Sequence, residues 1–297
     1  MRKLDELIIK LKSKIGVDLL GVVEAIPMEK VYEDLILNKE KNFSTKFESD
    51  DTNSRIDPSM HLENARSIFV IGMSYYWDEE EEGKFKISNH AQGRDYHKVL
   101  REKLEALKLE LSEIYEFQSY IQVDSGDLFE KELGRRAGFG YIGKNTLLIN
   151  NELGSYIFLG ILVTDIEMNE YSIKSSGSCG ECNICKNACP SGSIIGDYTL
   201  NGSVCHSYLT QWKVEIPESK KINYAYGCDI CQKICPKNRD IKKNLHLDFQ
   251  PRIKNFDNID IKNMSNKEFK RKYYEHSFSW VGKKVIARNI KLIEERG

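Results

Sequence analysis

No apolar run in this 297-residue chain is long enough to cross a membrane. The longest, YIFLGILV at 156–163, is far shorter than the ~20 residues a spanning helix needs. The first residues, MRKLDELIIKLKSKIG, interleave charge with Leu and Ile at helical spacing and show no secretory h-region, so the chain is expected to be cytoplasmic, with no membrane partner. No repeat of fixed period appears. Net charge is also nearly absent, at −1. That balance hides an asymmetry: residues 205–297 carry 20 Lys and Arg against 11 Asp and Glu, and residues 1–204 carry 24 against 34, so +9 faces −10. A basic end of this kind suits an anionic partner, nucleic acid being the commonest, although solvated helix faces give similar counts.

What is present reads as globular, with 40% hydrophobic residues and a length that fits one large or two ordinary domains. Helical spacing at 3–14 and 28–39, a long helix from Asp95 to about Phe117, and apolar strands in DLLGVVEA, SIFVIGMSYY, SYIQVDSG and SYIFLGILVTD predict an α/β layer architecture over residues 1 to about 166. The acidic run at 79–82 reads as a solvated loop tip. EYSIKSSGS, at 170–178, reads as a linker, and the tail NKEFKRKYYEHSFSWVGKKVIARNIKLIEERG as two closing helices that carry Lys270, Arg271, Lys272, Lys283, Lys284 and Arg288.

AGFGYIGKNTLLI, at 137–149, contains G-x-G-x-x-G followed by Lys144, Asn145 and Thr146. A dinucleotide or phosphate loop needs a strand before the first glycine and a helix after the last. Here DLFEKELGRRAG reads as a helix ending at Gly138 and NTLLI as a strand, so no helix N-terminus is offered to an anion. Glycines that permit a tight turn are the plain alternative.

All eight cysteines lie after residue 178, and in a reducing compartment that clustering points to metal rather than disulfides. CGECNICKNACP sets Cys179, Cys182, Cys185 and Cys189-Pro190 in the C-x2-C-x2-C-x3-C-P run of two-cluster ferredoxins, whose fourth cysteine serves the other cluster. YAYGCDICQKICPKN repeats it with Cys228, Cys231 and Cys235-Pro236, but with Ala225 where the first cysteine would stand; Cys205 is the remaining thiol. Cross-ligation assigns Cys179, Cys182, Cys185 and Cys235 to one 4Fe-4S cluster, and Cys189, Cys205, Cys228 and Cys231 to a second. Four-cysteine zinc is the alternative, but zinc requires neither the three-cysteine run nor the C-x3-C-P in each copy.

Taken in order, SRIDPSMHLENARSIFVIGMSYY, GRDYHKVLREKLEAL, VDSGDLFEKELGRRAGFGYIGKNTLLI, GSYIFLGILVTD, the cysteine runs and CHSYLTQWK make the chain resemble the epoxyqueuosine reductases. The resemblance covers most of the chain. It implies an α/β (α+β) cobalamin-binding domain related to that of reductive dehalogenases at 1–168, a ferredoxin-like double-cluster domain at 169–245 and a helical segment at 246–297, in a short form without the helical-repeat extension of many members. It implies reduction of epoxyqueuosine to queuosine in a tRNA anticodon by cobalamin, which the two clusters reduce in turn, with electrons from a donor such as a flavodoxin or ferredoxin system.

Asp124, in QVDSG, matches the family's proton donor, a role that calls for a raised pKa near neutrality. Without the resemblance it reads as an Asx-type turn with Ser125 and Gly126. The D-x-H-x-x-G signature that offers a histidine to cobalt is absent, as in the family. The implied cofactor contacts are Arg55, Tyr96, His97, Asp124, Lys131, Gly138, Gly140, Gly143, Lys144, Asn145, Thr146 and Ser207. Lys213, Lys237, Arg239, Lys242 and Lys243 are the implied tRNA-phosphate contacts. CHSYLTQWK departs from the family at Gln211, where an acidic residue is usual. Two other classes remain open: a corrinoid reductase of a small electrophile, and an electron-transfer activator of another corrinoid protein.

Overall fold

The computed structural model describes residues 2–77, 83–213, 216 and 224–295; the acidic run at 79–82 lies outside the described residues. The chain opens with α1 (Lys3–Ile15), β1 (Leu19–Glu24), α2 (Glu29–Glu40) and the short α3 (Thr52–Ile56), and then enters β2 (Ser67–Ser74). β3 (Lys86–Ile87) precedes the long α4 (Tyr96–Ser112), β4 (Ser119–Gln122), α5 (Glu130–Arg136), the hairpin of β5 (Tyr141–Ile142) and β6 (Leu148–Ile149), and β7 (Ile157–Thr164). The cysteine-bearing part holds α6 (Ile184–Ala188), β8 (Ile194–Gly196), β9 (Thr199–Leu200), α7 (His206–Gln211), β10 (Tyr224–Tyr226) and α8 (Ile230–Lys233). The two closing helices are α9 (Asn266–Tyr273) and α10 (Lys283–Glu294).

The main sheet runs β1-β2-β7-β4, and every neighbouring pair is antiparallel. Helices cover both of its faces, which is why β2 is buried at every residue and reads as an unbroken apolar run rather than an alternating one. Because successive side chains point to opposite faces, Phe69, Ile71 and Met73 join the core under α1 and α4, while Ile68 and Val70 join the core under α2 and α5. Burial of side chains this size contributes about 1.5–3 kcal/mol each. α4 supplies Val99, Leu100, Leu104, Leu107 and Leu111 on one stripe and is capped by Asp95, which accepts the His97 N–H. It ends at Ser112, five residues before the expected Phe117, where the N–H groups of Ile114 and Tyr115 both close on Leu111 O and turn the chain toward β4.

Residues 86–91 leave this layer. β3 pairs in parallel with β10, and Ile87 and Ala91 sit in one core with Tyr226, Phe256, Phe278 and Ile286 of the later parts. Buried Asn289 ties α10 to both neighbours by donating to Thr210 O at 2.7 Å and Ala225 O at 2.8 Å. Arg288 spends its donors on Trp212 O and Leu209 O, so this member of the basic tail is an internal strut.

Candidate active site

The end of β4 meets the first turn of α4 at the rim of the sheet. Asp124, two residues past β4, has φ of 54°, a conformation rare for a residue with a side chain and one that clusters at functional sites. Tyr96 Oη donates to Asp124 Oδ2 at 2.6 Å, and His97 Nε2 lies 3.3 Å from the same oxygen. The other ring nitrogen of His97 bonds Asp95 Oδ1 at 2.7 Å, so the imidazole is held between two carboxylates. Tyr96 is clamped between Phe158, at 4.2 Å and 7°, and His97, at 4.1 Å. Glu130 Oε1 accepts the Asp124 N–H at 2.8 Å and a Gln122 amide at 3.1 Å, which pins the loop from below.

Burial alone would raise the Asp124 carboxyl, but the bonds from His97 and Tyr96 outweigh it and hold the group below its ordinary value. With 60% of its side chain exposed, Asp124 opens to solvent on the side away from these partners. The paired carboxylates overcome burial and push His97 up to about 9, while burial and the Asp124 charge push Glu130 up to about 8. At neutral pH the stored protons therefore rest on His97 and Glu130 and Asp124 is ionised, the reverse of the raised carboxyl that a proton-donor role suggests. His97, protonated, has no lone pair for a metal.

This arrangement carries a pH signature. The folded state holds the His97 proton up to about pH 9, while the unfolded chain releases it near 6.5, so this stabilisation is complete below about 6.5 and is lost as pH rises toward 9. Unfolding midpoints measured from about pH 6 to about pH 9.5 should fall with pH, and His97→Gln should flatten that slope. An unchanged slope would remove the proton from His97.

Cations border the cleft. Arg55 pairs with Glu48 at 2.7 Å, and its guanidinium and the Lys131 ammonium both lie 5.7 Å from the Phe129 ring. Lys131 Nζ donates to Thr146 O at 2.8 Å, and Thr146 is a second residue forced to positive φ, at 61°. Burial pulls the Lys131 pKa down, against the opposing pull of Glu48 and Asp124. Ser207 reaches the cleft through Gln211, whose amide donates to Ser207 Oγ at 3.1 Å and whose Oε1 accepts Tyr226 Oη at 3.0 Å.

The glycine motif belongs elsewhere. A Cβ on Gly138 would stand 2.4 Å from Ile173 O, and one on Gly140 2.0 Å from Ile149 O, with both residues at positive φ. Gly143 faces the Ile149 side chain. All three make room for the chain's own backbone and side chains. Lys144 and Asn145 follow the motif directly. The β5–β6 hairpin carries them to the first cysteine group, where the Lys144 N–H points at Cys179 Sγ at 3.4 Å and its Nζ pairs with Asp197.

Cys179, Cys182, Cys185 and Cys235 line a single cavity with Asn145 and Lys237, so the cysteine from the second motif closes the first set. The buried Asn145 Nδ2 has no partner and borders this cavity, a donor available to a cluster sulfur. Among the described residues no three His, Cys, Asp or Glu side chains converge tightly enough for a single ion, which a tetrahedral zinc at about 2.3 Å from each sulfur requires. Cys189, Cys205 and Cys228 all lie within electrostatic reach of Cys231. Burial pushes Cys228 up to about 12 and Cys231 higher, so these thiols ionise only if a metal displaces their protons. Lys213, Lys237, Arg239, Lys242 and Lys243 are all exposed; Lys242 also pairs with Glu152.

Sequence reading missed Asp95, Glu130 and Tyr226. Asp95 carried a signal, an acidic N-cap immediately before Tyr-His, whereas Glu130 sits in a helix whose pattern marks it as solvated.

Residues 55–125 match the family model described as epoxyqueuosine reductase QueG, DUF1730, and residues 178–238 match the 4Fe-4S double cluster binding domain. An epoxyqueuosine reductase of Lactococcus garvieae (strain Lg2) is 36% identical over 98% of this chain and 86% of its own length. That of Cyclobacterium marinum is 34% identical over 99% of this chain and 98% of its own, a relative of similar extent. A crystal structure of epoxyqueuosine reductase with an epoxyqueuosine-modified tRNA-Tyr stem loop superposes with TM-score 0.91 at 34% identity, covering 98% of this chain and 80% of that one. The Bacillus subtilis enzyme, with its catalytic aspartate loop swung out of the active site, gives 0.87 at 33% identity, covering 98% and 81%. A catabolic reductive dehalogenase shares the fold at TM-score 0.50 and 15% identity, over 81% of this chain and 32% of that one. No helix among the described residues is long and apolar enough to cross a membrane. The chain belongs to the epoxyqueuosine reductase family and is an oxidoreductase.

Proposed function

We propose that this chain reduces epoxyqueuosine to queuosine in a tRNA anticodon, using cobalamin and two 4Fe-4S clusters, with Asp124 delivering a proton. The observation that carries the reading is the cleft itself: an ionised Asp124 on an open floor, bonded to a protonated His97, with the cations Arg55 and Lys131 at its border. Converting an epoxide to an alkene takes two electrons and two protons and releases the oxygen as water, so the site must hold protons beside a source of single electrons.

Arg55, Tyr96, His97, Lys131, Thr146 and Ser207, with the loop of Gly138, Gly140, Gly143, Lys144 and Asn145, are read as the residues that would hold cobalamin, the two cations suiting its phosphate tail. When bound, that cofactor supplies an electron-rich metal centre, and the iron-sulfur clusters supply electrons one at a time. The two cysteine sets keep the assignment reached from their spacing, Cys179, Cys182, Cys185 and Cys235 against Cys189, Cys205, Cys228 and Cys231. Asp124 draws on the His97 proton, Tyr96 orients the carboxylate, and Glu130 keeps the loop in place. The segments 1–168, 169–245 and 246–297 are read as cofactor, electron-transfer and closing parts. Exposed Lys213, Lys237, Arg239 and Lys243, with Lys242, are read as phosphate contacts, and a flavodoxin or ferredoxin system as the electron donor.

The test is anaerobic incubation of the cobalamin-loaded protein and a reductant with an epoxyqueuosine-containing stem loop. Mass spectrometry should show loss of one oxygen atom from the modified base; an unchanged mass, with both clusters and cobalamin in place, would overturn the reading.

A further inference from the structure

Four aromatic side chains gather at one edge of the cleft without a part in the redox chemistry. Phe47 stands at their centre, its ring centroid 5.1 Å from Tyr208, 5.3 Å from Trp212 and 5.6 Å from Trp280, each ring nearly perpendicular to it. They come from three distant parts of the chain, the loop after α2, helix α7 and the turn before α10, so the fold assembles them deliberately in space rather than by local pattern. A set that served only as core would be covered. Tyr208 is, but Phe47 remains 45% and Trp280 50% exposed.

The Trp280 ring is anchored. The Trp280 indole N–H donates to Tyr226 Oη at 3.1 Å, and that hydroxyl donates to Gln211. Tyr226 lies within electrostatic reach of Asp124 and Asp95, and Glu48, the residue after Phe47, holds Arg55 at the cofactor side. The aromatic edge is thus tied to the Asp124 region through the buried Tyr226. Lys46 and Lys213, the neighbours of Phe47 and Trp212, are exposed, and the closing third of the chain carries the excess of +9. Open aromatic faces beside cations are the surface on which unpaired bases stack while their phosphates are neutralised, whereas an apolar protein partner gains nothing from the lysines.

We propose that Phe47 and Trp280 form a stacking platform for an unpaired nucleobase flanking the modified base in the tRNA loop, with Lys46 and Lys213 on the adjacent phosphates. The proposal rests on the tRNA reading above. It is tested with the cluster- and cobalamin-loaded protein and an epoxyqueuosine stem loop carrying 2-aminopurine beside the modified base. The native protein should quench the 2-aminopurine. Phe47→Leu and Trp280→Leu should each weaken stem-loop binding by about 5- to 100-fold and relieve the quenching. KM should rise far more than kcat falls, with iron and cobalamin content unchanged. Trp280→Phe, which keeps a ring but not the indole N–H, should retain most of the affinity, and Lys46→Ala should reduce the slope of log affinity against log salt by about one. Leucine variants that bind within about twofold of native, or leave quenching intact, overturn the platform while leaving the tRNA reading standing. A native protein that turns over no stem loop overturns both.

Discussion

Asp124→Asn is expected to lower turnover of an epoxyqueuosine stem loop by about 10²- to 10⁴-fold, the usual worth of a positioned proton donor, while cobalamin and both clusters stay bound. The substitution is nearly isosteric. Its amide oxygen still accepts from Tyr96, so the loop should not move. It removes the charge that holds the His97 proton, and it presents no exchangeable acidic proton to the departing oxygen. Because the Asp124 carboxylate is the largest stabiliser of the His97 imidazolium, the His97 pKa should also fall from about 9, which NMR or the pH profile of residual activity can read. Residual activity within a few-fold of native would dismiss Asp124 as donor. A large loss with an unmoved His97 would keep Asp124 catalytic but break the shared-proton arrangement.

The second large effect concerns iron. Cys235→Ser should halve the iron content and abolish the signal of one cluster, and the cluster lost should be the one held by Cys179, Cys182 and Cys185, although Cys235 lies in the second motif beside Cys228 and Cys231. The cavity lined by these four cysteines predicts this crossing. Cys228→Ser should remove the other cluster. EPR of the two reduced variants should therefore give complementary spectra, and either variant should lose nearly all turnover with a chemical donor of single electrons. If Cys179→Ser and Cys235→Ser remove different clusters, the crossed assignment fails.

Much of this was legible in residue order alone. Apolar runs at 67–74 and 157–164 became the central strands, and the spacing of eight cysteines anticipated the grouping seen at the cavity. Strand direction was not legible, because hydrophobic period reports burial and not polarity, so the all-antiparallel order appears only in the fold. The glycine motif is ambiguous for a similar reason: a missing Cβ signals a close approach without saying what approaches, and at Gly138 and Gly140 the carbonyls of Ile173 and Ile149 come close. Proton placement was hidden as well. An Asp in a turn shows its type but not its neighbours, and the neighbours Tyr96 and His97 decide its charge.

The parallel pairing of β3 with β10 places residues of the first segment inside the core of the last. In the proposed reaction, an electron crossing from the second cysteine set to the cleft would therefore travel through one continuous packed body, not across a joint. Tunnelling rates fall steeply with distance, so a joint that opened during tRNA binding would make delivery intermittent. In that reading the gap belongs to the tertiary structure, and substrate would come and go without resetting it.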